Sequence, residues 1–393
     1  MSRFRLCPSP TQAAILREHC RHARFVWNLA VEQHAFWRPG RARAPRYIEQ
    51  CRQLTEARAT YDWLRGGSHM IQQQALRDFD QAVKYFVGGT HRRPTWRKGG
   101  RAEGFRIVAV KPGHVRRLSR KTGDVWVPKA GWVRFRWSRQ VPRAKSYRVT
   151  LDRAGRWHIA FAVIPEPVPS PGNGEIVGID RGVTVSAALS TGVMLKVPRL
   201  SPQRQRRLRR LQRRLSRAAR GSSRRTNVRL AVARLRLREV DARKDWVEKA
   251  STDLARTFDL IRVENLGIGQ MTRSVRGTTS NPGRRVRQKS GLNREILASG
   301  WGLLVQRLED KAPGRVERIS PAFTSQRCSA CGTIDARARE SQAAFRCRYC
   351  AFTCNADVNA ARNIAVGHTV TARGRSPLGG RMNREPQLKL PAG

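Results

Sequence analysis

Apolar residues recur along this chain first at three- and four-residue steps, then at two, then at three and four again, and these changes of period divide it. Phe4 to Cys7 reads as a short strand, after which Ser9-Pro10-Thr11-Gln12 offers a capping box with Pro at the first helical position. The helix expected there carries Ile15, Leu16, Cys20, Ala23, Val26, Trp27 and Ala30 on one face, sets Arg17, Arg21 and Arg24 elsewhere, and stops at Pro39-Gly40. A second helix is expected over 71–86, where Ala75, Phe79, Val83 and Phe86 repeat in the same way, and a basic loop over 90–101. From Phe105 to Val163 the period becomes two, in Val125-Trp126-Val127, Trp132 to Trp137, Tyr147 to Leu151 and Trp157 to Val163, which suggests a small barrel. Asp152-Arg153-Ala154-Gly155 supplies the hairpin turn between the last two strands. Arg134 and Arg136 alternate with aromatic neighbours, as a face for nucleic acid or as solvated side chains of the barrel.

Four prolines between 165 and 171, followed by Gly172-Asn173-Gly174, mark a linker and the main domain boundary. Beyond it a strand over 175–179 ends on Asp180-Arg181-Gly182, and a second runs from Thr184 to Leu189 before turning at Thr191-Gly192. Residues 201–238 hold fifteen Arg and no acid, yet Leu208, Leu211 and Leu215, then Leu230, Ala233, Leu237 and Val240, keep helical spacing. Gly221-Ser222-Ser223 splits this stretch into a helical hairpin whose arginines suit a phosphate backbone. An apolar strand from Phe258 closes on Glu264, and 267–292 reads as a mobile basic loop. A helix over 294–311 with Leu297, Trp301, Leu304 and Leu308 on one face, a strand over 316–319 and a disordered tail after about Gly367 complete the expectation.

Charge then narrows the partners. The 393 residues hold 79 Lys plus Arg against 28 Asp plus Glu, a net charge of +51, which calls for a polyanion. An apolar content of 39% and this length allow two or three domains with true cores. No apolar run is long enough to span a bilayer and the first residues lack a signal-like apolar core, so a cytoplasmic, nucleoid-associated protein with reduced thiols is expected.

The candidate chemistry lies in two sets of residues. Cys328 and Cys331 form one Cys-x-x-Cys pair, Cys347 and Cys350 another, and fifteen residues separate them, a spacing that suits one tetrahedral zinc ion. Four protein ligands leave no open position, so this zinc would be structural. Cys354 is a fifth thiol without an assignment, while Cys7, Cys20 and Cys51 read as small core residues. Asp180 and Glu264 close two strands, and Asp357 opens a helix expected from Val358. Each acid alone has a bland reading as a cap or surface group. Three of them at strand and helix ends of one α/β domain could hold two Mg²⁺ for phosphodiester hydrolysis.

In combination, Gly178-Ile179-Asp180-Arg181-Gly182, Val263-Glu264-Asn265-Leu266, Thr324 to Gly332 and Asp357-Val358-Asn359-Ala360-Ala361-Arg362-Asn363-Ile364 resemble the TnpB proteins of bacterial insertion sequences, which are related to type V CRISPR effector nucleases. Phe4-Arg5-Leu6, Arg24 to Asn28 and Pro128 to Trp132 extend the resemblance over nearly the whole chain. Departures are Ala351 where Gly is frequent, Asn355 where Asp is common, the additional Cys354 and a short N-terminus. The resemblance implies a multidomain α/β architecture: a β-barrel wedge domain (1–8 and 102–165), a helical recognition insertion (9–101), a linker (166–174), a RuvC-like nuclease domain of RNase H fold (175–322 and 353–367), a zinc ribbon (323–352) and a tail (368–393). It implies Asp180, Glu264 and Asp357 as the catalytic, Mg²⁺-binding triad of an RNA-guided DNA endonuclease. Its guide RNA would come from the transposon end, its target DNA would carry a short flanking motif, and it would act as a monomer with RNA, a dimer being left open. A nuclease-inactive RNA- and DNA-binding repressor or an accessory transposase protein is the alternative.

Overall fold

The structure, a computed structural model, describes residues 2–35, 44–100 and 102–367. The helix stop at Pro39-Gly40, Arg101 of the basic loop and the tail from 368 lie outside them. The chain forms two compact units, Met1–Glu166 with Leu200–Val240, and Pro167–Arg199 with Asp241–Gly393.

In the first unit, strand β1 (Ser2–Arg5) leads into helix α1 (Pro10–Ala35). The capping box forms as the sequence predicts: the Ser9 amide donates to Gln12 Oε1 at 3.0 Å and the Gln12 amide to Ser9 Oγ at 3.2 Å. Helices α2 (Tyr47–Thr60), α3 (Asp62–Arg65) and α4 (His69–Val87) follow. Only α4 was legible, because α2 buries just Gln50 and Leu54 and so carries little apolar period. Seven strands build two antiparallel sheets. One runs β1-β7-β6-β2 and the other β3-β4-β5, with β2 at Gly104–Val108, β3 at Val115–Arg117, β4 at Thr122–Val127, β5 at Gly131–Arg136, β6 at Ser146–Leu151 and β7 at Trp157–Phe161. Leu6 bridges to Phe135, and Phe4 sits edge-on between Phe135 and Phe161 at 5.7 Å from each, so both sheets and α1 and α4 share one core. Arg134 and Arg136 point outward while Val133 and Phe135 are buried, as the alternation requires. Cys20 is buried and Cys51 half-buried against this core, but Cys7 is exposed, contrary to its reading as a core residue, because it lies past the last strand pairing.

Asp152 organises the β6–β7 turn. Its carboxylate accepts from the amides of Ala154 and Arg156 at 2.9 Å each and from Arg156 Nε at 2.7 Å, and His158 Nε2 lies 3.0 Å away. Burial works to raise its pKa, but the hydrogen bonds from Arg156 and His158 outweigh it and hold the carboxyl at about 2, against 3.8 for a free side chain. A depressed carboxyl stabilises the fold above its unfolded pKa, and that stability is lost as pH falls through the folded value. Asp152→Asn is therefore expected to lower unfolding free energy by about 1–2 kcal/mol at neutral pH, after discounting for solvent screening, with the difference vanishing towards pH 2. Urea unfolding across that range checks it, and a difference independent of pH would contradict it.

Helices α5 (Pro202–Arg217) and α6 (Ser223–Thr257) form the arginine-rich hairpin. The buried seam differs from the stripe read in the sequence: Leu211 meets Val228, Val232 and Leu235, rotating α6 away from Leu230 and Leu237. α6 also runs on to Thr257, so its last turns belong to the second unit.

That second unit holds a five-stranded sheet in the order β10-β9-β8-β11-β12, made of β8 (Ile176–Asp180), β9 (Ala187–Leu189), β10 (Met194–Leu195), β11 (Leu260–Glu264) and β12 (Val316–Ile319). β8 to β10 are antiparallel and β8, β11 and β12 parallel. The strand expected from Thr184 begins only at Ala187. The expected loop over 267–292 contains helix α7 (Ile268–Met271) and the start of α8 (Val286–Ser299). The helix expected over 294–311 is two helices, because Gly300 adopts φ +78° and breaks it before α9 (Trp301–Lys311), which leaves Leu297 exposed. Ribbon strands β13 (Ala344–Arg346) and β14 (Thr353–Asn355) precede the last helix, α10 (Ala356–Val366).

Period two decides which side of the sheet each residue takes. Val177, Ile179, Ile261 and Val263 face a core made with Val247, Ala250 and Leu254 of α6 and Leu304, Val305 and Leu308 of α9. Gly178, Asp180, Arg262 and Glu264 therefore face the other way, towards α10. A Cβ on Gly178 would lie 2.0 Å from Ala361 O and 2.3 Å from Ala365 N, so α10 rests directly on β8. Arg262 Nη1 donates to Ala365 O at 2.6 Å and holds the far end.

Candidate active site and metal centre

Asp180 ends β8, and Glu264 ends β11 one residue beyond that strand's last pairing with β8, Val263 with Ile179. Asp357 lies in the first turn of α10 over the same face. Asp357 does not cap this helix. Asn355 does so, its Oδ1 accepting from the Asp357 amide at 2.9 Å and the Val358 amide at 3.2 Å, work that Asp or Asn performs equally. Asp357 is thereby left to point into the site.

The three acids sense one another. Burial, then Glu264, then Asp357 push the Asp180 carboxyl up to about 8. Burial also raises Asp357, opposed by Arg339, whose Nη2 donates to its Oδ1 at 3.0 Å. Glu264 is almost wholly buried and its Oε1 accepts from Thr324 Oγ1 at 2.5 Å. The buried Arg181 guanidinium donates to the Glu264 carbonyl oxygen and fixes the end of β11 against β8. A carboxyl raised by burial and by two neighbouring acids suits a hard divalent cation, which would relieve that repulsion. The carboxylates are neighbours without being drawn as close as the thiols: among the described residues, the four cysteines are the group whose ligand atoms all lie within 4.8 Å of one another.

Within that thiol cluster Cys328 Sγ is 3.8 Å from Cys350 Sγ and Cys331 Sγ is 3.7 Å from Cys347 Sγ. A tetrahedron with Zn–S bonds near 2.3 Å has edges of about 3.8 Å, so the thiols fit one structural zinc ion. Cys354 is not part of the cluster. It packs with Phe345 and Phe352 in the ribbon core, and burial raises its pKa.

Two buried asparagines one turn apart on α10 tie ribbon to site. Asn359 Nδ2 donates to Arg327 O at 2.7 Å while its Oδ1 accepts from the Ser329 amide at 2.9 Å. Asn363 Nδ2 donates to Thr324 O at 2.9 Å and Arg327 O at 2.7 Å. The same segment thus bonds Glu264, docks on the helix carrying Asp357 and continues into the first cysteine pair. Sequence reasoning quoted these asparagines and Thr324 inside motifs without giving them a task, and missed Arg339, which no motif marks.

Ala351, where the resemblance leads one to expect Gly, sits at φ +55° between Cys350 and Phe352. The left-handed region disfavours an L-residue by about 1–2 kcal/mol, part of which Gly loses again through its freer unfolded chain. Ala351→Gly should slow zinc release to a chelating dye, and faster release would count against this account.

The probable-transposase family of OrfB/IS605 type matches residues 158–275, a Cas12f1-like TNB domain matches 301–364, and a helix-turn-helix domain matches 2–37. The described part of the last segment forms β1 and the single helix α1. The chain is 34% identical over 99% of its length, and 98% of the relative's, to the Escherichia coli K12 protein named "Putative RNA-guided DNA endonuclease InsQ". It is 30% identical over 95% of its length, and 90% of the relative's, to a Streptomyces pristinaespiralis protein named "Putative RNA-guided DNA endonuclease". Its fold is similar to Cas12f1 in the cryo-EM structure of a Cas12f1–sgRNA–target DNA complex, with a TM-score of 0.56, 15% identity and coverage of 91% of this chain and 83% of that one. With two relatives at this level of identity over nearly the whole chain and the family model matching residues 158–275, the chain belongs to the TnpB family of OrfB/IS605 type.

Proposed function

We propose that the protein is an RNA-guided, Mg²⁺-dependent DNA endonuclease of a bacterial insertion sequence, with Asp180, Glu264 and Asp357 as its catalytic acids. The observation that carries this reading is the gathering of these acids at the ends of β8 and β11 and the start of α10, where burial first, and then Glu264 and Asp357, raise the Asp180 carboxyl to about 8. The sheet order and strand directions support a RuvC-like domain of RNase H fold, and the two antiparallel sheets of the first unit support a β-barrel wedge. Two Mg²⁺ held by the three carboxylates would supply an activated water and charge stabilisation for the leaving oxygen. The chain's own residues prepare that site: Thr324 orients Glu264, Arg181 locks the ends of the two strands together, and Asn355 leaves Asp357 uncapped. In the metal-free site burial, then Glu264 and Asp357, favour the protonated Asp180 carboxyl, which must release its proton to act as a ligand, so Mg²⁺ binding should strengthen as pH rises.

The net charge of +51 suits a guide RNA and a target DNA together. We assign the guide to the transposon end, recognition of a short flanking DNA motif to the N-terminal lobe, and the working state to a monomer with RNA in the nucleoid. No helix among the described residues is long and apolar enough to cross a membrane. The test is to sequence the RNA that copurifies with the protein and to challenge the complex with DNA matching its variable segment beside randomised flanks. Cleavage is expected with Mg²⁺ and not with EDTA. Bulk tRNA and rRNA with no cut product would overturn the reading in favour of a nuclease-inactive binding protein, and joined DNA ends would favour a transposase.

A further inference from the structure

The first unit contains a cavity of about 320 Å³ lined by Arg5, Arg156, Arg234 and Arg238, together with Ala154 and Gly155 of the β6–β7 turn. The guanidiniums come from three separated places: the end of β1, the turn just before β7 and one face of α6, where Arg234 and Arg238 are one turn apart. Asp152 stands close by, its carboxylate engaged with Arg156 at 2.7 Å. Like charges do not gather in one hollow at no cost. Burial, and next the neighbouring Arg156, lower the pKa of Arg5, which Asp152 only partly offsets. An anion seated among these side chains would remove that repulsion. A guanidinium fork matches the paired oxygens of a phosphate. The cavity also has the room a phosphodiester with its flanking sugars needs.

We propose that this arginine pocket is a discrete seat for one backbone phosphate of a bound nucleic acid, distinct from the carboxylate site. It differs from the diffuse attraction of a basic surface because two of its members, Arg5 and Arg156, are half-buried and fixed by the sheet, while Arg234 and Arg238 on α6 are exposed. The proposal rests on the nucleic-acid partner proposed above and adds the place at which its backbone is gripped.

The test uses the full chain with Arg234→Gln and Arg238→Gln together, positions whose exposure spares the fold. Binding is measured over a salt series to the copurified RNA and, separately, to duplex DNA. The nucleic acid that occupies the pocket should bind roughly tenfold more weakly, with a salt slope reduced by about 0.7–0.9, while the other is unchanged. Loss on RNA alone names the RNA backbone as occupant, and loss on duplex alone names the DNA. Arg234→Lys with Arg238→Lys should restore the slope and recover only part of the affinity. A methylphosphonate scan should then find one linkage whose neutralisation weakens wild type but not the glutamine variant. If wild type binds both nucleic acids and the glutamine variant is unchanged, or if every linkage counts equally, the pocket is no seat and the nucleic-acid reading survives. If wild type binds neither, both fall.

Discussion

Asp180→Asn is expected to lower DNA cleavage by about a thousandfold or more while RNA and DNA binding stay within about twofold of wild type. The substitution keeps the shape of a side chain that lies between β8 and α10 but replaces an ionisable carboxyl, the hard oxygen ligand a metal would draw on, with a neutral amide. A second readout separates this from misfolding. The Asp180 carboxyl, at about 8 in the fold and 3.8 in a free chain, stabilises the metal-free protein fully below its unfolded value, and that contribution is lost as pH rises through about 8. Metal-free wild type should therefore lose thermal stability between about pH 4 and 8, whereas the Asn variant, which keeps only the raised Asp357, should lose less. Added Mg²⁺ near pH 8 should stabilise wild type and leave the variant unmoved. Wild-type cleavage by the variant would end the assignment.

Gly178→Ala should be nearly as damaging without touching any charge. The new methyl group would meet Ala361 O and Ala365 N at 2.0 and 2.3 Å, both backbone atoms that no rotamer change can move. Helix α10 would have to lift from β8, and overpacking of this kind costs about 1–3 kcal/mol. The same lift carries Asp357 away from Asp180 and Glu264, and misplacement by an ångström can reduce rate about a hundredfold. The expected result is a lower unfolding midpoint together with cleavage reduced more than stability alone explains. A variant that melts and cuts like wild type would show that α10 tolerates a looser seat.

Local rules carried sequence reasoning a long way. The Ser9–Gln12 box, the β6–β7 turn, the two strands ending on acids and the two cysteine pairs each depend on residues within a few positions of one another, and each is found as read. What escaped depends on partners far along the chain or on single backbone angles. The break before α9 turns on one glycine at φ +78°, and nothing in the flanking apolar period signals it. The buried face of α6 is chosen by where α5 folds back, which period alone leaves undetermined. Thr324 reaches Glu264 across 60 positions, Arg339 reaches Asp357 across 18, and Arg181 finds a carbonyl 83 residues away. Asp357 was found because an acid at a helix start is visible in sequence, but its freedom from capping rests on Asn355.

The asparagine clamp has a consequence for the order in which a growing chain becomes complete. Asp180 and Glu264 leave the ribosome early and can pair through β8 and β11, but α10 follows the ribbon, and its Asn359 and Asn363 must find Thr324, Arg327 and Ser329 before Asp357 is held in place. A polypeptide arrested anywhere before residue 357 carries the arginine surface without the third acid. On the proposed function synthesis itself would then work as a safety catch, since a half-made chain would carry the arginines proposed to hold nucleic acid before it had the third acid proposed to cut it.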